Sequence, residues 1–312
     1  MQVDAGILKK KKNKDIAYCC AFPNGEGPFP ALMILPGFGN SFMVDEYLGK
    51  IQLHATLAGY ATIVMDPSAN ILVDNEVDTR LVTYNNYKED IKIVAENIQD
   101  HPNIDNEKIM VAGTSFGAHQ GMQLMSENYD VFSGGIFYSL VPDLVKPFRE
   151  RLTPDTERLW RMNQSVTGHG YKCVVDTKTR EFNYKLYKQA SKLDLFESAK
   201  AITKPVTIIM GPNDRLVTPP DILRLGDNME QCRELSINFI KDAGHCFDLE
   251  PKPGEDVSQF DWALRLTAEV LKNFSPGANN NEMENQPEFP TLESLQKPAP
   301  VKQKKAFYNF TF

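Results

Sequence analysis

Residues 108–119 constrain the fold more than any other stretch of this chain. Ile109-Met110-Val111-Ala112 is an unbroken apolar run of the length that a strand covered on both faces requires. Gly113-Thr114-Ser115-Phe116-Gly117 follows at once and fits Gly-x-Ser-x-Gly, with a helical pattern over Ala118 to Glu127 behind it. A serine at so sharp a strand-to-helix turn holds a strained backbone. Its neighbours two residues away must be small for strand and helix to approach. The turn exposes a hydroxyl at the positive end of a helix, which makes Ser115 a candidate nucleophile.

The same alternation runs through most of the chain. Residues 14–22 and 30–36 read as strands around a turn at Pro23 to Pro28. A helix is predicted from about Val44 to Ala58, stopped by Gly59. Tyr60 to Met65 is the next strand, closed by Asp66-Pro67. A long loop leads to a helix near Tyr87 to Asp100. Beyond the Ser115 unit come strands at Gly134 to Val141, Thr207 to Met210 and Leu235 to Ile240, with helices near 219–230 and 258–274. Apolar strands alternating with helices predict an α/β fold, a mostly parallel central sheet with helices on both faces.

In such sheets ligands bind beyond the carboxyl ends of the strands. Pro36-Gly37-Phe38-Gly39 follows one strand and Ser115 another. Gly211-Pro212-Asn213-Asp214 and Asp242-Ala243-Gly244-His245 follow two more. A hydroxyl, a carboxylate and an imidazole thus fall at one edge, in the chain order Ser, Asp, His.

With these residues the chain resembles the α/β-hydrolases over roughly residues 15–274, apart from an insertion at about 142–201. Among them it is most similar to small serine esterases of the dienelactone-hydrolase and cinnamoyl-esterase kind. Gly37-Phe38-Gly39-Asn40 approximates their Gly-Phe-x-Gly turn, Gly211 to Asp214 their acid loop, with Val217 to Pro219 continuing it, and Gly244-His245 their histidine step. Pro36-Gly37 stands where many relatives carry His-Gly. Asp66-Pro67-Ser68-Ala69 replaces a frequently glycine-rich loop.

The chemistry and the resemblance together imply an acyl-transfer site. A serine hydroxyl needs a base within hydrogen-bond reach, here His245. The imidazole needs one tautomer and one orientation, here from Asp214. The oxyanion needs preorganised donors, here the backbone N–H groups of Phe38 and Phe116. Asp143, after the strand ending at Val141, and Asp248, near His245, are competing carboxylates. His119, one turn past Ser115, reads as a helix residue under the sheet edge, and Cys246 as a small buried apolar residue.

The insertion reads as a cap, with a helix over Thr153 to Asn163 and a hairpin from Tyr171-Val175 into Glu181-Tyr184. Its layout, with Gly168-His169-Gly170, is similar to the cap of bacterial fatty-acyl thioesterases. Trp160, Phe148 and Tyr171 could line an acyl pocket, or pack the cap onto the sheet. Residues 1–274 are thus one domain, and 275–312 a low-complexity tail ending in Ala306-Phe307-Tyr308-Asn309-Phe310-Thr311-Phe312.

The expected function is a serine hydrolase cleaving a small-molecule carboxylic ester or thioester. The alternatives are a fatty-acyl thioesterase, a peptidase of the same fold, or a binding module without turnover. A net charge of −7 does not suggest a nucleic-acid partner. No run of eighteen apolar residues exists, so no membrane span is expected. Five cysteines in no zinc-like spacing, and no apolar leader after Lys9 to Lys12, point to a reduced, cytoplasmic setting. No metal or organic cofactor is expected, and a homodimer is the candidate assembly.

Overall fold

The structure, a computed structural model, describes residues 1–9, 15–68, 71–73, 76–149, 151–167, 171–175, 178–274 and 306–310. The chain opens with a hairpin, β1 (Gln2–Leu8) and β2 (Ile16–Phe22), followed by β3 (Phe29–Leu35), α1 (Glu46–Leu57) and β4 (Ala61–Asp66). Two short strands, β5 (Ile71–Val73) and β6 (Glu76–Asp78), and a 3-10 turn at Thr79–Leu81 lead to α2 (Tyr84–Gln99). The Ser115 unit is β7 (Ile104–Thr114) and α3 (Phe116–Ser126), and β8 (Gly134–Tyr138) follows.

Between β8 and the next sheet strand lie α4 (Lys146–Arg149), α5 (Pro154–Thr167), the hairpin β9 (Tyr171–Val175) and β10 (Lys178–Phe182), α6 (Tyr184–Ala190) and α7 (Leu195–Ser198). The chain then continues through β11 (Val206–Met210), α8 (Pro219–Asp227), β12 (Leu235–Phe239), α9 (Gln259–Phe274) and β13 (Ala306–Phe310).

Nine of these strands form one sheet in the order β1-β2-β4-β3-β7-β8-β11-β12-β13. From β4 to β13 every pairing is parallel, while β1 and β2 run antiparallel at one edge. The aromatic tail segment thus pairs with β12, Leu235 opposite Ala306 and Phe239 opposite Phe310. Residues 275–305 lie outside the described residues, as do Gly168-His169-Gly170 and the hairpin turn at 176–177.

The buried stretches of the central strands are almost wholly apolar because both faces are covered. Met33 and Leu35 of β3, Ile109 and Val111 of β7, and Ile208 and Met210 of β11 join a core with Ile91 and Val94 of α2 and Met122 of α3. Leu32, Ile34, Met110, Ala112 and Ile209 alternate to the other side, against Leu48 and Ile51 of α1 and Phe260 and Leu264 of α9. Side chains on successive strand residues point to opposite faces, so each strand feeds both cores.

Three of the boundaries that differ from the sequence reading do so for plain local reasons. Helix α1 begins two residues later than predicted because Asp45 caps it, its carboxylate accepting from Tyr47 N–H at 2.9 Å. Helix α2 begins earlier, at Tyr84, capped by Thr83. Strand β8 stops at Tyr138 instead of reaching Val141, because Ser139 takes φ +46° and turns the chain away. Strand β1 was not predicted; it pairs only at the sheet edge and is largely exposed, so it carries no core-facing pattern. Among the described residues no helix is long and apolar enough to cross a membrane.

Candidate active site

The carboxyl ends of β7, β11 and β12 bring three sequence-distant side chains into one hydrogen-bonded line. Ser115 sits between β7 and α3 at φ 51° and ψ −109°, outside the regions that ordinary residues occupy. The two flanking glycines explain how this turn closes. A Cβ on Gly113 would lie 2.6 Å from Ala118 N, and one on Gly117 would lie 2.5 Å from the carbonyl oxygens of Leu35 and Pro36. Ser115 N–H donates to Tyr138 O at 2.8 Å, which ties the turn to the neighbouring strand.

The Ser115 hydroxyl lies 2.9 Å from His245 Nε2, and His245 Nδ1 lies 2.7 Å from Asp214 Oδ2. A carboxylate only accepts, so Nδ1 carries the proton and Nε2 is left as the acceptor facing Ser115. The carboxylate is fixed in turn, since its Oδ1 accepts from Leu216 N–H at 2.7 Å and from Val217 N–H at 3.1 Å. The Asp214 side chain is fully buried and that of His245 is 9% exposed.

The acid loop and the histidine loop are packed directly together. Asn213 N–H donates to Ala243 O at 2.9 Å. Ser139, which the sequence reading did not single out, donates its hydroxyl to His245 O at 2.6 Å. A lone serine after a strand carries no sequence signal of that role.

The competing carboxylates are occupied elsewhere. Asp143 caps Val145 and Lys146 and pairs with Arg149, while Asp248 pairs with Lys252. His119 is buried, with Nδ1 2.7 Å from Val141 O, and burial lowers its pKa to about 4. Cys246 departs from expectation: it is exposed, because the loop after β12 carries its side chain outward from the packed Ala243.

The turn after β3 is a tight one. Asn40 N–H donates to Gly37 O at 3.1 Å, and Gly39 holds φ +71°, as a glycine at the third position of a type II turn does. That closing bond uses the N–H of Asn40 and leaves the N–H of Phe38 out of it. Phe116 opens α3, where the first N–H has no partner within the helix. The rings of the two residues meet edge to face, 5.7 Å between centroids.

The turn is held at its two ends by two side chains to which the sequence reading gave no such role. Tyr87 donates its hydroxyl to Pro36 O at 2.6 Å. Asp66 accepts from the Ser41 hydroxyl and, at 3.0 Å, from Phe42 N–H. Burial raises the Asp66 pKa to about 6, against the opposing pull of those two hydrogen bonds.

Phe148 and Trp160 are buried in the segment between β8 and β11, 5.7 Å apart between ring centroids. They pack with Tyr171, Phe182, Tyr184 and Tyr187. Their burial is accounted for by that mutual packing.

No family model and no curated protein matches the sequence. Solved structures do match in shape. Est1E from Butyrivibrio proteoclasticus aligns over 90% of this chain and 99% of its own at 16% identity, TM-score 0.63. Alpha/beta hydrolase GrgF from Penicillium sp. sh18 aligns over 88% of this chain and 100% of its own at 14% identity, TM-score 0.69. Alpha/beta hydrolase domain-containing protein 10 from mouse aligns over 87% and 100% at 14% identity, TM-score 0.66. Sheet order, crossovers and these likenesses agree, and the chain has the α/β-hydrolase fold.

Proposed function

We propose that this protein is a serine hydrolase that cleaves a carboxylic ester or thioester through an acyl-enzyme. The observation that carries the reading is the unbroken chain of hydrogen bonds from Ser115 through His245 to Asp214. His245 Nε2 takes the hydroxyl proton as Ser115 Oγ attacks the acyl carbon, and Asp214 stabilises the imidazolium that forms. The negative charge on the acyl oxygen is met by the N–H groups of Phe38 and Phe116. Collapse of the tetrahedral species expels the alcohol or thiol, which takes the proton back from His245. Water repeats the cycle on the acyl-enzyme and releases the acid.

A further solved structure that matches in shape is an esterase domain from a Rhodothermus marinus protein, which supports an ester as the first substrate class to test. In this reading residues 142–201 form a cap over the site, with Phe148 and Trp160 as its packed interior beside the acyl group.

A fluorophosphonate probe tests the assignment. The expected result is one adduct on Ser115 in native protein, none in Ser115→Ala, and an unchanged melting temperature for that variant. Native protein that takes no label overturns the reading and leaves a binding module. Turnover of p-nitrophenyl esters of increasing acyl length, against acyl thioesters, then separates esterase from thioesterase.

A further inference from the structure

The segment between β8 and β11 touches the turn that carries Phe38 at one well-defined place. Phe182, the last residue of β10, lies flat on the Phe38 ring, with centroids 4.5 Å apart and planes 3° from parallel. The Phe38 ring also meets the ring of Phe116 edge to face, and Phe116 is backed by Tyr87 at 5.2 Å and Tyr84 at 6.1 Å. The rings of both residues assigned as oxyanion donors therefore stand in one aromatic cluster, and Phe182 joins it through Phe38.

Phe182 is not free to drift. The residues on either side of it are both bonded to the 3-10 turn of the core. Thr79 donates its hydroxyl to Glu181 O at 2.7 Å, and Asn183 Nδ2 donates to Arg80 O at 2.7 Å. Phe148 packs edge-on against Phe182 at 4.9 Å and connects it to the aromatic interior around Trp160. On the same side, a Cβ on Gly39 would lie 2.9 Å from both Thr79 Cγ2 and Arg180 Nη1, so β10 and the 3-10 turn also press on the next residue of the turn.

We infer that Phe182 is a positioning residue for the oxyanion site, through its stack on the Phe38 ring. A backbone N–H is aimed by the peptide planes on either side of it. In a turn of four residues the phenyl group of Phe38 is the largest handle on those planes. Tyr87 and Asp66 fix the two ends of the turn, at Pro36 and at Ser41-Phe42. Phe182 fixes its middle, and it comes from the inserted segment, which makes that segment part of the reaction machinery as well as a cover. The inference rests on the serine-hydrolase reading.

The test is Phe182→Leu in the full chain, which keeps an apolar side chain of similar volume and removes the stack. Phe182→Ala is the harsher companion, and Leu53→Ala, at an exposed position on α1, is the control. The expected result with p-nitrophenyl butyrate is a kcat lowered about tenfold with KM held within about twofold, since loosening a donor costs less than removing one. Inhibition by phenylboronic acid, whose serine adduct is tetrahedral, weakens by the same factor, and the control changes neither. Unchanged kcat and boronate affinity in Phe182→Leu overturn the inference, and so does a raised KM with kcat kept, which marks a substrate contact. Wild-type protein that neither turns over the ester nor takes the phosphonate label overturns the hydrolase reading, and the inference falls with it.

Discussion

A methyl group on Gly211 would lie 2.2 Å from Ala243 O and 2.3 Å from Gly244 O. Both obstacles are backbone, and both belong to the loop that presents His245. Gly211→Ala must therefore push the acid loop and the histidine loop apart, and the 2.7 Å bond between Asp214 and His245 opens with them. The expected cost is about 3 kcal/mol of stability, at the upper end of ordinary overpacking, together with a lowered kcat. Urea unfolding and ester turnover on the same preparation check the two effects.

The choice among carboxylates is equally local. Asp214→Asn retains the shape but offers His245 Nδ1 an amide that can equally present a donor, so the tautomer is no longer enforced. A kcat reduced about 1,000- to 10,000-fold is expected, with Tm little changed. Asp143→Asn and Asp248→Asn, whose carboxylates serve caps and surface ion pairs, are expected to stay within about twofold of wild type. A large loss in either of those two, with Asp214→Asn active, would reassign the acid.

At the scale of elements, the central strands and the helices packed on them could be read from the sequence because burial on both faces leaves an apolar run with nothing else to resemble. The same physics made Ser115, Asp214 and His245 readable, since each follows such a run. What escaped the reading has no such signature. Strand β1 is an exposed edge, and α6 and α7 are short, each started by a side-chain cap, from Asn183 and Asp194. Ser139, Asp66, Tyr87 and Phe182 act through one or two contacts made at separations of 24 residues or more, and a contact of that kind leaves no periodic trace.

Asn183 shows the point and can be tested. Its Oδ1 caps α6 by accepting from Lys185 N–H at 2.8 Å, while its Nδ2 ties α6 to Arg80 O. Asn183→Ala loses both and is expected to cost about 1.5 kcal/mol. Asn183→Asp keeps the cap, loses the donor, and is expected to cost about half as much. Asn183→Asp as stable as wild type in urea would show that the tie to the 3-10 turn contributes nothing, and equal stability of the two variants would show the same of the cap.

For the molecule as a whole, two buried groups set opposite dependences on pH. Burial lowers the His119 pKa from 6.5 to about 4, so the folded chain resists a proton that the unfolded chain accepts. The stability that neutral His119 allows is fully present above pH 6.5 and is lost as pH falls through 4. Burial raises the Asp66 pKa from 3.8 to about 6, so here the folded chain holds a proton that the unfolded chain releases. That contribution is fully present below pH 3.8 and is lost as pH rises through 6. Each shift is worth about 3 kcal/mol between its limits. Near pH 5 the unfolded chain binds one more proton at residue 119 and one fewer at residue 66, so the two slopes cancel in wild type. Removing either group uncovers the other. Asp66→Asn is expected to gain about 3 kcal/mol relative to wild type as pH is raised from 4 to 7, and His119→Gln to lose about the same amount over that range. Urea unfolding of the three proteins across that interval decides it: the differences from wild type must run in opposite directions, and parallel curves would mean that neither group titrates with the fold.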